Sequence, residues 1–257
     1  MDRKRIVIKV GTSTLTHENG KINIRQMEHL VRIISDLMNK GFEIVLVSSG
    51  AVGAGVGKLG IAERPEEVRK KQALAAIGQA SLVSMYDRFF SEYGYNSAQV
   101  LLTKYVFETE HKIITTKNAF MTMLEYGVIP IVNENDVVST DELEFGDNDT
   151  LSAYVAVLVD ADLLIIMSDI DGLYDSDPRS NPEAKIIPII DKIDESVISV
   201  AGGAGTRRGT GGMKTKLHAA ELVLSHGIDM IITNGKRLEN LYDIADGKTV
   251  GTLFKSK

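Results

Sequence analysis

Two hydrophobic patterns alternate along the chain. Short runs of consecutive apolar, β-branched residues are typical of parallel strands that are buried on both faces. Longer segments carry apolar residues at spacings of three and four, which predicts helices with one apolar face. The predicted strands cover residues 5–10, 43–48, 98–102, 128–132, 163–168 and 230–233. This alternation predicts a mainly parallel sheet with helices on both of its faces.

The helical pattern is clearest in residues 24–40, where six apolar residues recur at helical spacing and Gly41 follows as the C-terminal cap. Segments 65–90, 117–126, 151–159 and 217–225 carry a similar pattern. Residues 174–182 are rich in turn formers, so we expect a β-hairpin excursion within residues 170–194. The chain ends shortly after a last strand-like run at 249–254, which predicts a single domain.

Composition narrows the class of protein. The chain has 257 residues, of which 44% are hydrophobic and 25% charged, as in ordinary globular proteins. The net charge of −6 disfavours a nucleic-acid partner. There is no cysteine, which excludes disulfides, thiolate nucleophiles and cysteine-based metal sites. No apolar run approaches the roughly 20 residues of a membrane span, and the N-terminus lacks a signal-peptide pattern, so we expect a soluble cytoplasmic protein without a membrane partner.

The residues that follow the predicted strands indicate where ligands bind. In parallel α/β sheets, ligands bind beyond the carboxyl ends of the strands. Four of these ends are polar or rich in glycine, namely residues 9–13, 48–51, 133–136 and 168–172. Lys9 ends an otherwise apolar strand, and a buried lysine without a partner is costly. Either Lys9 reaches solvent, or it meets an anion that the backbone at Gly11 also approaches.

Charged residues are segregated along the chain. Residues 118–178 contain 14 acidic residues and no Lys, Arg or His, whereas residues 196–220 contain Arg and Lys but no acidic residue. Two interpretations stay open. The acidic stretch is a solvated surface, or the two stretches form opposite sides of one site. In the second case the acidic side receives an ammonium group, a metal ion or the protein's own lysines.

A glycine-rich segment precedes the helical pattern at 217–225. Residues 210–216 read TGGMKTK, and glycines at a helix N-terminus let backbone N–H groups approach an anion. With two lysines and two threonines, this segment predicts a phosphate cradle; the alternative is a surface loop or lid.

The P-loop pattern is absent. The G-x-G-x-x-G pattern at 55–60 lies too far beyond its strand for a dinucleotide site.

Two acidic motifs are candidates for the other side of a site. The run NEND at 133–136 places four oxygen acceptors at a strand end. The run GDNDT at 146–150 precedes a helix, and its Asp147 or Asn148 could simply cap that helix. Its two carboxylates equally suit the positioning of lysines or of a substrate ammonium.

Taken together, these motifs resemble a known family. Seven motifs follow one another along the chain in the order that is typical of one family. They lie at residues 8–13, 48–51, 132–136, 146–149, 172–174, 177–179 and 209–216. The combination of NEND, GDND and GTGGM-x-TK is specific to that family, although each alone would be a weak signal. The sequence resembles the amino acid kinase family, and within it the glutamate 5-kinases, over residues 4–254. Many bacterial members carry an additional C-terminal PUA domain, which 257 residues are too few to include. We therefore expect one amino acid kinase domain over residues 1–257 and no PUA domain.

The resemblance implies a fold, a reaction and a set of site residues. The fold is a three-layer αβα sandwich around an open, mainly parallel sheet of about eight strands. The reaction is the transfer of the γ-phosphoryl group of ATP to L-glutamate, which gives L-glutamate 5-phosphate for proline biosynthesis. Lys9 and Lys216 hold the migrating phosphoryl group, and Asp149 orients the two lysines. Ser49, Asp136 and Asn148 bind glutamate, with Asn133 and Asp147 nearby. ATP is bound by Lys9, Ser168, Asp169, Thr210, Gly211, Gly212, Met213, Lys214, Thr215 and Lys216.

The residue types agree with this chemistry. A carboxylate acceptor is already ionised at neutral pH, so the barrier is repulsion between anions, and cations and N–H groups are needed rather than a general base. Lys9, Lys216, Mg²⁺ and the backbone at Gly11 and Gly50 can share that task. Mg²⁺ usually keeps water and phosphate ligands, so its protein ligands stay unassigned.

Several alternative functions remain open. Another kinase of the family would act on N-acetylglutamate, aspartate, carbamate or UMP, and a catalytically inactive nucleotide-binding protein would share the fold. A UMP site should be basic where this sequence is acidic, and Lys9, Asp149 and Lys216 argue against an inactive site.

The resemblance further implies feedback inhibition by proline. We also expect a homo-oligomer and hand-over of the acyl phosphate to a downstream reductase, glutamate-5-semialdehyde dehydrogenase.

Overall fold

The computed structural model describes residues 4–139, 145, 147–178, 180–201 and 212–257. These residues form one eight-stranded sheet in the order β3-β4-β2-β1-β5-β7-β8-β6. All pairs are parallel except β7 with β8. The strands are β1 (Arg5–Val10), β2 (Glu43–Ser48), β3 (Ser97–Leu102), β4 (Ile129–Glu134), β5 (Leu163–Ser168), β6 (Ile189–Ile190), β7 (Asp229–Asn234) and β8 (Thr252–Phe254). The expected mainly parallel sheet of about eight strands is confirmed.

Helices connect the strands. They are α1 (Thr12–Leu15), α2 (Ile24–Asn39), α3 (Ala51–Leu59), α4 (Val68–Glu92), α5 (Glu110–Glu125), α6 (Asn148–Leu158), α7 (Glu195–Ala201), α8 (Met213–Leu224) and α9 (Asn240–Ala245), with a 3₁₀ turn at Lys104–Phe107. Helix α5 begins well before the predicted residue 117, because the Thr109 side chain caps it by accepting a hydrogen bond from the Lys112 N–H at 3.4 Å. Apart from Ile113 and Ile114, the N-terminal part of α5 is polar, and none of its residues is fully buried, so its hydrophobic pattern is weak there.

Side-chain alternation along the strands builds two cores. In β1, Ile6, Ile8 and Val10 face one side and pack with α2 and α4. Val7 faces the other side and packs with α5, α6 and α8. Because successive residues of a strand point to opposite faces, Lys9 lies on the same face as Val7, toward α6 and α8. The three-layer αβα arrangement is therefore present, and it fixes the side of the sheet on which Lys9 acts.

The glycines of the G-x-G-x-x-G run have a packing role. Gly55 and Gly57 lie inside α3, which the sequence patterns did not predict as a helix. A Cβ at Gly55 would come within 2.1 Å of the Leu74 carbonyl oxygen of α4, and one at Gly57 within 2.5 Å of the Gly20 backbone. From the other side, a Cβ at Gly78 would lie 1.8 Å from the Ala51 carbonyl oxygen. Gly55 and Gly78 let α3 and α4 pack backbone to backbone, and Gly57 lets α3 approach the loop at Gly20 in the same way.

The region between β5 and β6 contains the expected hairpin excursion in its described part. Tyr174 pairs with Ile186 in an isolated antiparallel bridge. The Ile187 N–H donates to the Leu173 carbonyl oxygen at 2.8 Å. Among the described helices, none combines the length and the apolar character that crossing a membrane requires.

Candidate functional site

The carboxyl ends of the central strands meet at one edge of the sheet. Lys9 of β1 is in register with Val47 of β2 and with Ile166 of β5. The loops that follow β1 and β2 are joined by a hydrogen bond from the Ser49 N–H to the Val10 carbonyl oxygen at 3.1 Å. The polar strand ends that the sequence singled out therefore face a common region.

A buried carboxylate holds two lysines at this edge. Lys9 Nζ lies 2.6 Å from Asp149 Oδ1, and Lys216 Nζ lies 2.9 Å from Asp149 Oδ2. Asp149 is fully buried, and Lys9 and Lys216 are only 9% and 5% exposed. The Thr215 hydroxyl lies 3.4 Å from Asp149 Oδ2 and donates to the Gly212 carbonyl oxygen at 2.8 Å. The two lysines and one carboxylate leave one net positive charge in a largely enclosed place.

The ionisation of Asp149 follows from its two partners. Burial alone would raise the pKa of this carboxyl, because the charged form loses its hydration. The ammonium groups of Lys9 and Lys216 outweigh that effect and hold the pKa of Asp149 below its ordinary value. The carboxylate is therefore charged at neutral pH and keeps both lysines close to it.

Helix ends add to the positive potential. Asp149 lies in the first turn of α6, and Lys216 lies at the start of α8 behind Gly212, whose glycine N-cap provides no side-chain hydrogen bond. The first N–H groups of a helix lack intrahelical partners and carry partial positive charge. The structure thus collects two ammonium groups and the N-terminus of α8 around one point, which suits a polyanion.

A chain of hydrogen-bonded side chains extends from this centre along the strand ends. The Asn148 amide nitrogen donates to Ser49 Oγ at 2.8 Å and to Asn133 Oδ1 at 2.9 Å. The Asn133 amide nitrogen donates in turn to Gln79 Oε1 of α4 at 2.9 Å. Gln79 and Asn133 are both buried. The chain fixes the orientation of the Asn148 amide next to Asp149.

A cavity of about 370 Å³ opens beside this hydrogen-bonded chain. Its lining includes all five residues predicted to bind the acceptor: Ser49, Asn133, Asp136, Asp147 and Asn148. Its other polar lining residues include Arg64, Lys71, Gln72 and Glu134, none of which was individually predicted to bind a ligand. Glu134 lay inside a singled-out motif, but the other three had no signal beyond helical spacing and local charge.

Asp147 has both of the roles that the sequence left open. It is the N-cap of α6, and its Oδ1 accepts a hydrogen bond from the Thr150 N–H at 2.8 Å. It also lines the cavity. Burial raises the pKa of Asp147, against the lowering effect of the backbone hydrogen bond from Thr150.

The described residues predicted to bind ATP, apart from Lys9 of β1 itself, lie on the opposite side of β1 from the cavity. Ser168 ends β5, in register with Asn234 of β7, and its hydroxyl donates to Asp169 at 3.1 Å. Gly212, Met213, Lys214, Thr215 and Lys216 form the start of α8, with Met213 buried and Lys214 exposed. The predicted Thr210 and Gly211 lie outside the described residues. Lys9 therefore lies between the predicted acceptor side and the predicted nucleotide side.

Gly11 and Gly50, whose backbone N–H groups were predicted to contact the phosphoryl group, are glycines for different structural reasons. Gly50 precedes α3 with a φ of 104°, a conformation that favours glycine. Gly11 has an ordinary φ of −80°. A Cβ there would lie 4.0 Å from Lys9 Nζ, so the absence of a side chain leaves space directly beside the lysine ammonium.

A metal site built by the protein alone is not found in the described part of the chain. No group of three or more His, Asp or Glu side chains there is placed to hold an ion. Asp149 already uses its two oxygens for lysines.

The sequence over most of the chain matches a known family pattern. The pattern of the amino acid kinase family covers residues 4–234. The chain belongs to the amino acid kinase family. The prediction of family membership is thereby confirmed.

Relatives within the family are close in sequence. The glutamate 5-kinase of Clostridium perfringens is 55% identical over 260 residues, which cover 100% of this chain and 97% of that protein. The glutamate 5-kinase of Thermoanaerobacter sp. is 54% identical over 250 residues, which cover 97% of this chain and 67% of that protein.

Solved structures share the fold at low sequence identity. The isopentenyl phosphate kinase of T. acidophilum has a TM-score of 0.68 and 17% identity, covering 98% of this chain and 100% of its own. The carbamate kinase of Giardia lamblia, bound to AMP-PNP, has a TM-score of 0.69 and 18% identity, covering 100% of this chain and 99% of its own. These likenesses establish the amino acid kinase fold.

Proposed function

We propose that this chain transfers the γ-phosphoryl group of ATP to the side-chain carboxylate of L-glutamate. The products are ADP and L-glutamate 5-phosphate, and the reaction is the first step of proline biosynthesis. The observation that carries the proposal is the placement of Lys9 and Lys216 on the two oxygens of Asp149, next to a cavity of mixed charge. The 50–55% identity to glutamate 5-kinases over nearly the full chain supports the choice of acceptor.

The reaction needs no general base. One oxygen of the glutamate γ-carboxylate forms a bond to the γ-phosphorus while the bond from that phosphorus to the bridging oxygen of ADP breaks. The acceptor is deprotonated at neutral pH, since the ordinary pKa of a glutamate side chain is about 4.3. The protein therefore has to align the two anions and to neutralise their repulsion.

The central residues perform these two tasks. Lys9 and Lys216 bind the oxygens of the migrating phosphoryl group, and Asp149 keeps both ammonium groups at the right separation. Backbone N–H groups at Gly11 and Gly50 add donors beside Lys9. Each well-aimed donor in such a site typically contributes about 3 kcal/mol to the lowering of the barrier.

The cavity is the acceptor site of this proposal. The Ser49 hydroxyl and the Asn148 amide position the substrate, and Asp136 and Asp147 lie where an α-ammonium group needs carboxylates. Asn133 acts mainly through Asn148, because its amide already bonds Asn148 and Gln79. ATP is bound by Ser168 and Asp169, which lie on the opposite side of β1, and by the segment from Thr210 to Lys216.

Mg²⁺ accompanies the nucleotide in this proposal. The ion supplies positive charge to the phosphates when it is bound. Mg²⁺ readily keeps waters and phosphate oxygens as ligands, which agrees with a described donor set that forms no dedicated cage.

The alternative acceptors fit the cavity less well. UMP carries a phosphate and no ammonium, so the acidic side formed by Glu134, Asp136 and Asp147 would repel it. N-Acetylglutamate and carbamate also lack a free ammonium group. Aspartate has the right charges but is one methylene shorter. An inactive protein would have no need for the buried lysine pair on Asp149.

The test is a hydroxylamine-trapping assay with ATP, Mg²⁺ and a panel of acids. Acyl phosphates react with hydroxylamine to give coloured hydroxamates, so the panel identifies the acceptor directly. We expect a signal with L-glutamate that exceeds the signals with L-aspartate and N-acetyl-L-glutamate by at least tenfold. ATP binding without a hydroxamate from any acid would support the inactive alternative.

Further parts of the proposal concern regulation and partners. Proline inhibits at or near the acceptor cavity, the chain acts in the cytoplasm as a homo-oligomer, and the acyl phosphate passes to glutamate-5-semialdehyde dehydrogenase. The chemistry that supports the last point is the short lifetime of acyl phosphates in water. A single amino acid kinase domain is sufficient for the catalytic step.

A further inference from the structure

The acceptor cavity has an acidic side and a basic side. The acidic side comprises Glu134, Asp136 and Asp147. The basic side comprises Arg64 and Lys71, which come from the segment before α4 and from its first turn. An acceptor with one ammonium group and two carboxylates can bind the acidic side through its ammonium group and the basic side through a carboxylate.

We infer that Lys71 binds the carboxylate of the acceptor that is not phosphorylated, with Arg64 as a second cation at the rim. This inference rests on the proposed function and assigns a residue that determines specificity. Lys71 would select acceptors with an anionic group at the end opposite to the reacting carboxylate.

The cationic group of Lys71 is available for a ligand, unlike those of Arg69 and Lys70. Lys70 Nζ lies 2.5 Å from Glu67 Oε1, and Arg69 Nε lies 2.9 Å from Glu67 Oε2. Among the described residues, Lys71 has neither an ion pair nor a side-chain hydrogen bond. It is nevertheless half-buried, whereas Arg69 and Lys70 are exposed. A partly desolvated cation without a protein partner favours an anion from solution.

The first turn of α4 is held against the acidic side of the cavity. Gln72 Nε2 donates to the Ser139 carbonyl oxygen at 3.4 Å. The Ser139 hydroxyl in turn donates to Glu134 Oε1 at 2.9 Å. These bonds tie the neighbour of Lys71 to the loop that follows β4. The first turn of α4, which carries Lys71, is therefore held next to the cavity.

Several other described donors near the cavity are already in use. The Asn148 amide nitrogen bonds Ser49 and Asn133. Lys9 and Lys216 bind Asp149 and lie at the end where the phosphoryl group transfers. An acceptor whose γ-carboxylate faces those two lysines thus has its α-carboxylate to place elsewhere. Arg64 is exposed, which leaves Lys71 as the better enclosed cation.

The experiment compares two acceptors in two variants. L-Glutamate carries both carboxylates, whereas isoglutamine, its α-amide, keeps the ammonium and the γ-carboxylate but replaces the α-carboxylate by a neutral amide. The variants are Lys71→Met and, as a matched control, Lys70→Met, which changes the adjacent exposed lysine. KM and kcat are measured with L-glutamate, and isoglutamine is measured as a competitive inhibitor against it.

Lys71→Met should raise the KM for L-glutamate roughly 10- to 100-fold, since a hydrogen bond to a charged group contributes about 1.5–3 kcal/mol. Its kcat should change less than threefold, and its inhibition constant for isoglutamine should stay within about twofold. Lys70→Met should leave all three values unchanged. Lys71→Arg, which keeps the charge, should restore most of the preference for L-glutamate, and thermal melts will verify that each variant folds.

Two results would overturn the assignment. An unchanged KM for L-glutamate in Lys71→Met excludes contact with the acceptor. An equal weakening of L-glutamate and isoglutamine places Lys71 elsewhere than at the α-carboxylate. Failure of the unaltered chain to phosphorylate L-glutamate is a separate result, because it overturns the proposed function itself.

Discussion

Lys9 and Lys216, which lie near opposite ends of the sequence, bind the two oxygens of a single carboxylate. Their Nζ atoms lie 2.6 and 2.9 Å from Asp149 Oδ1 and Oδ2, respectively. Two ammonium groups would otherwise repel each other strongly in a buried place. Because one carboxylate serves both, the pair keeps a net positive charge and has a defined separation. That arrangement suits a group that must be held while it passes between two anions.

Removal of Lys216 should affect the chemical step more than substrate binding. Lys216→Ala deletes a donor to the migrating phosphoryl group, and we expect kcat to fall roughly 100- to 1,000-fold. The KM for L-glutamate should change less than fivefold, since the acceptor cavity lies on the other side of Lys9. Steady-state kinetics with the hydroxamate assay measure both values. Lys248→Ala, which alters an exposed pair with Asp243, is the control, and an unchanged kcat in Lys216→Ala would refute the role of Lys216.

Asp149 should matter for stability as well as for activity. Asp149→Asn removes the carboxylate that both buried lysines contact, and loss of one partner from a buried ion pair typically costs about 3–5 kcal/mol. We expect a decrease of this order in the free energy of unfolding at pH 7, measured by urea denaturation. Asp160→Asn is the matched control, because Asp160 pairs with Lys117 at the surface, where such pairs contribute about 0–1 kcal/mol. Similar losses in the two variants would contradict the importance of the buried arrangement.

The same carboxylate predicts a pH dependence. The pKa of Asp149 is lowered in the folded state from an ordinary value of 3.8. A group with a lowered pKa stabilises the fold fully above its unfolded pKa and loses that contribution as the pH falls through the folded value. The difference in unfolding free energy between the unaltered chain and Asp149→Asn should therefore be constant from pH 6 to 8 and shrink below about pH 4. A difference that stays constant down to pH 2.5 would exclude this linkage.

Asp136 should act on the acceptor and not on the nucleotide. Asp136→Ala removes a carboxylate from the acidic side of the cavity, and we expect the KM for L-glutamate to rise roughly 10- to 100-fold. The KM for ATP should stay within twofold, since Ser168 and the described start of α8 lie across β1. Initial rates at varied L-glutamate and ATP measure both constants. An unaltered KM for L-glutamate would remove Asp136 from the acceptor site.

The sequence predicts the central strands well because their burial leaves a clear pattern. The bounds of β1, β2 and β5 agree with the predicted residues 5–10, 43–48 and 163–168, and all three strands are almost wholly buried. Strand β6 has two residues and α3 contains three glycines and no wide apolar stripe. Neither gives a periodic signal over a sufficient length. Their formation depends on tertiary contacts, such as the close approach of α3 to α4.

The site was predictable at the strand ends and not beyond them. Lys9 and Asn133 lie at the carboxyl ends of β1 and β4, and Ser49 and Asp136 come shortly after β2 and β4, so the topology rule brings all four to one edge. Gln79, Arg64 and Lys71 belong to the segment around α4, far from any strand end in sequence. The contact of Gln79 with Asn133, and the places of Arg64 and Lys71 in the cavity lining, depend on how α4 packs across the sheet. No local pattern distinguishes Lys71 from Lys70, although only Lys71 lines the cavity.

Gln79 provides the last prediction, because it acts on the acceptor through two other residues. Its Oε1 accepts the hydrogen bond from Asn133, which leaves Asn133 Oδ1 facing Asn148. Gln79→Met keeps the size of the side chain but leaves the buried Asn133 amide nitrogen without an acceptor, at a cost of about 1–3 kcal/mol. We expect a lower unfolding free energy by that amount and a KM for L-glutamate raised by about tenfold, with the KM for ATP unchanged.

The split between the two substrates distinguishes positioning from general damage to the fold. If Gln79 has a purely structural role, its loss should lower stability without a selective effect on L-glutamate. If Gln79 positions Asn133, its loss lets the Asn133 amide rotate. The Asn133 nitrogen would then face the Asn148 nitrogen, and the two donors would repel each other. Gln79→Glu retains an acceptor for Asn133 and should recover part of the lost affinity for L-glutamate. Gln99→Met, on the exposed part of β3, controls for the substitution itself. If Gln79→Met loses stability while both KM values stay constant, the chain from Gln79 to Asn148 supports the fold alone.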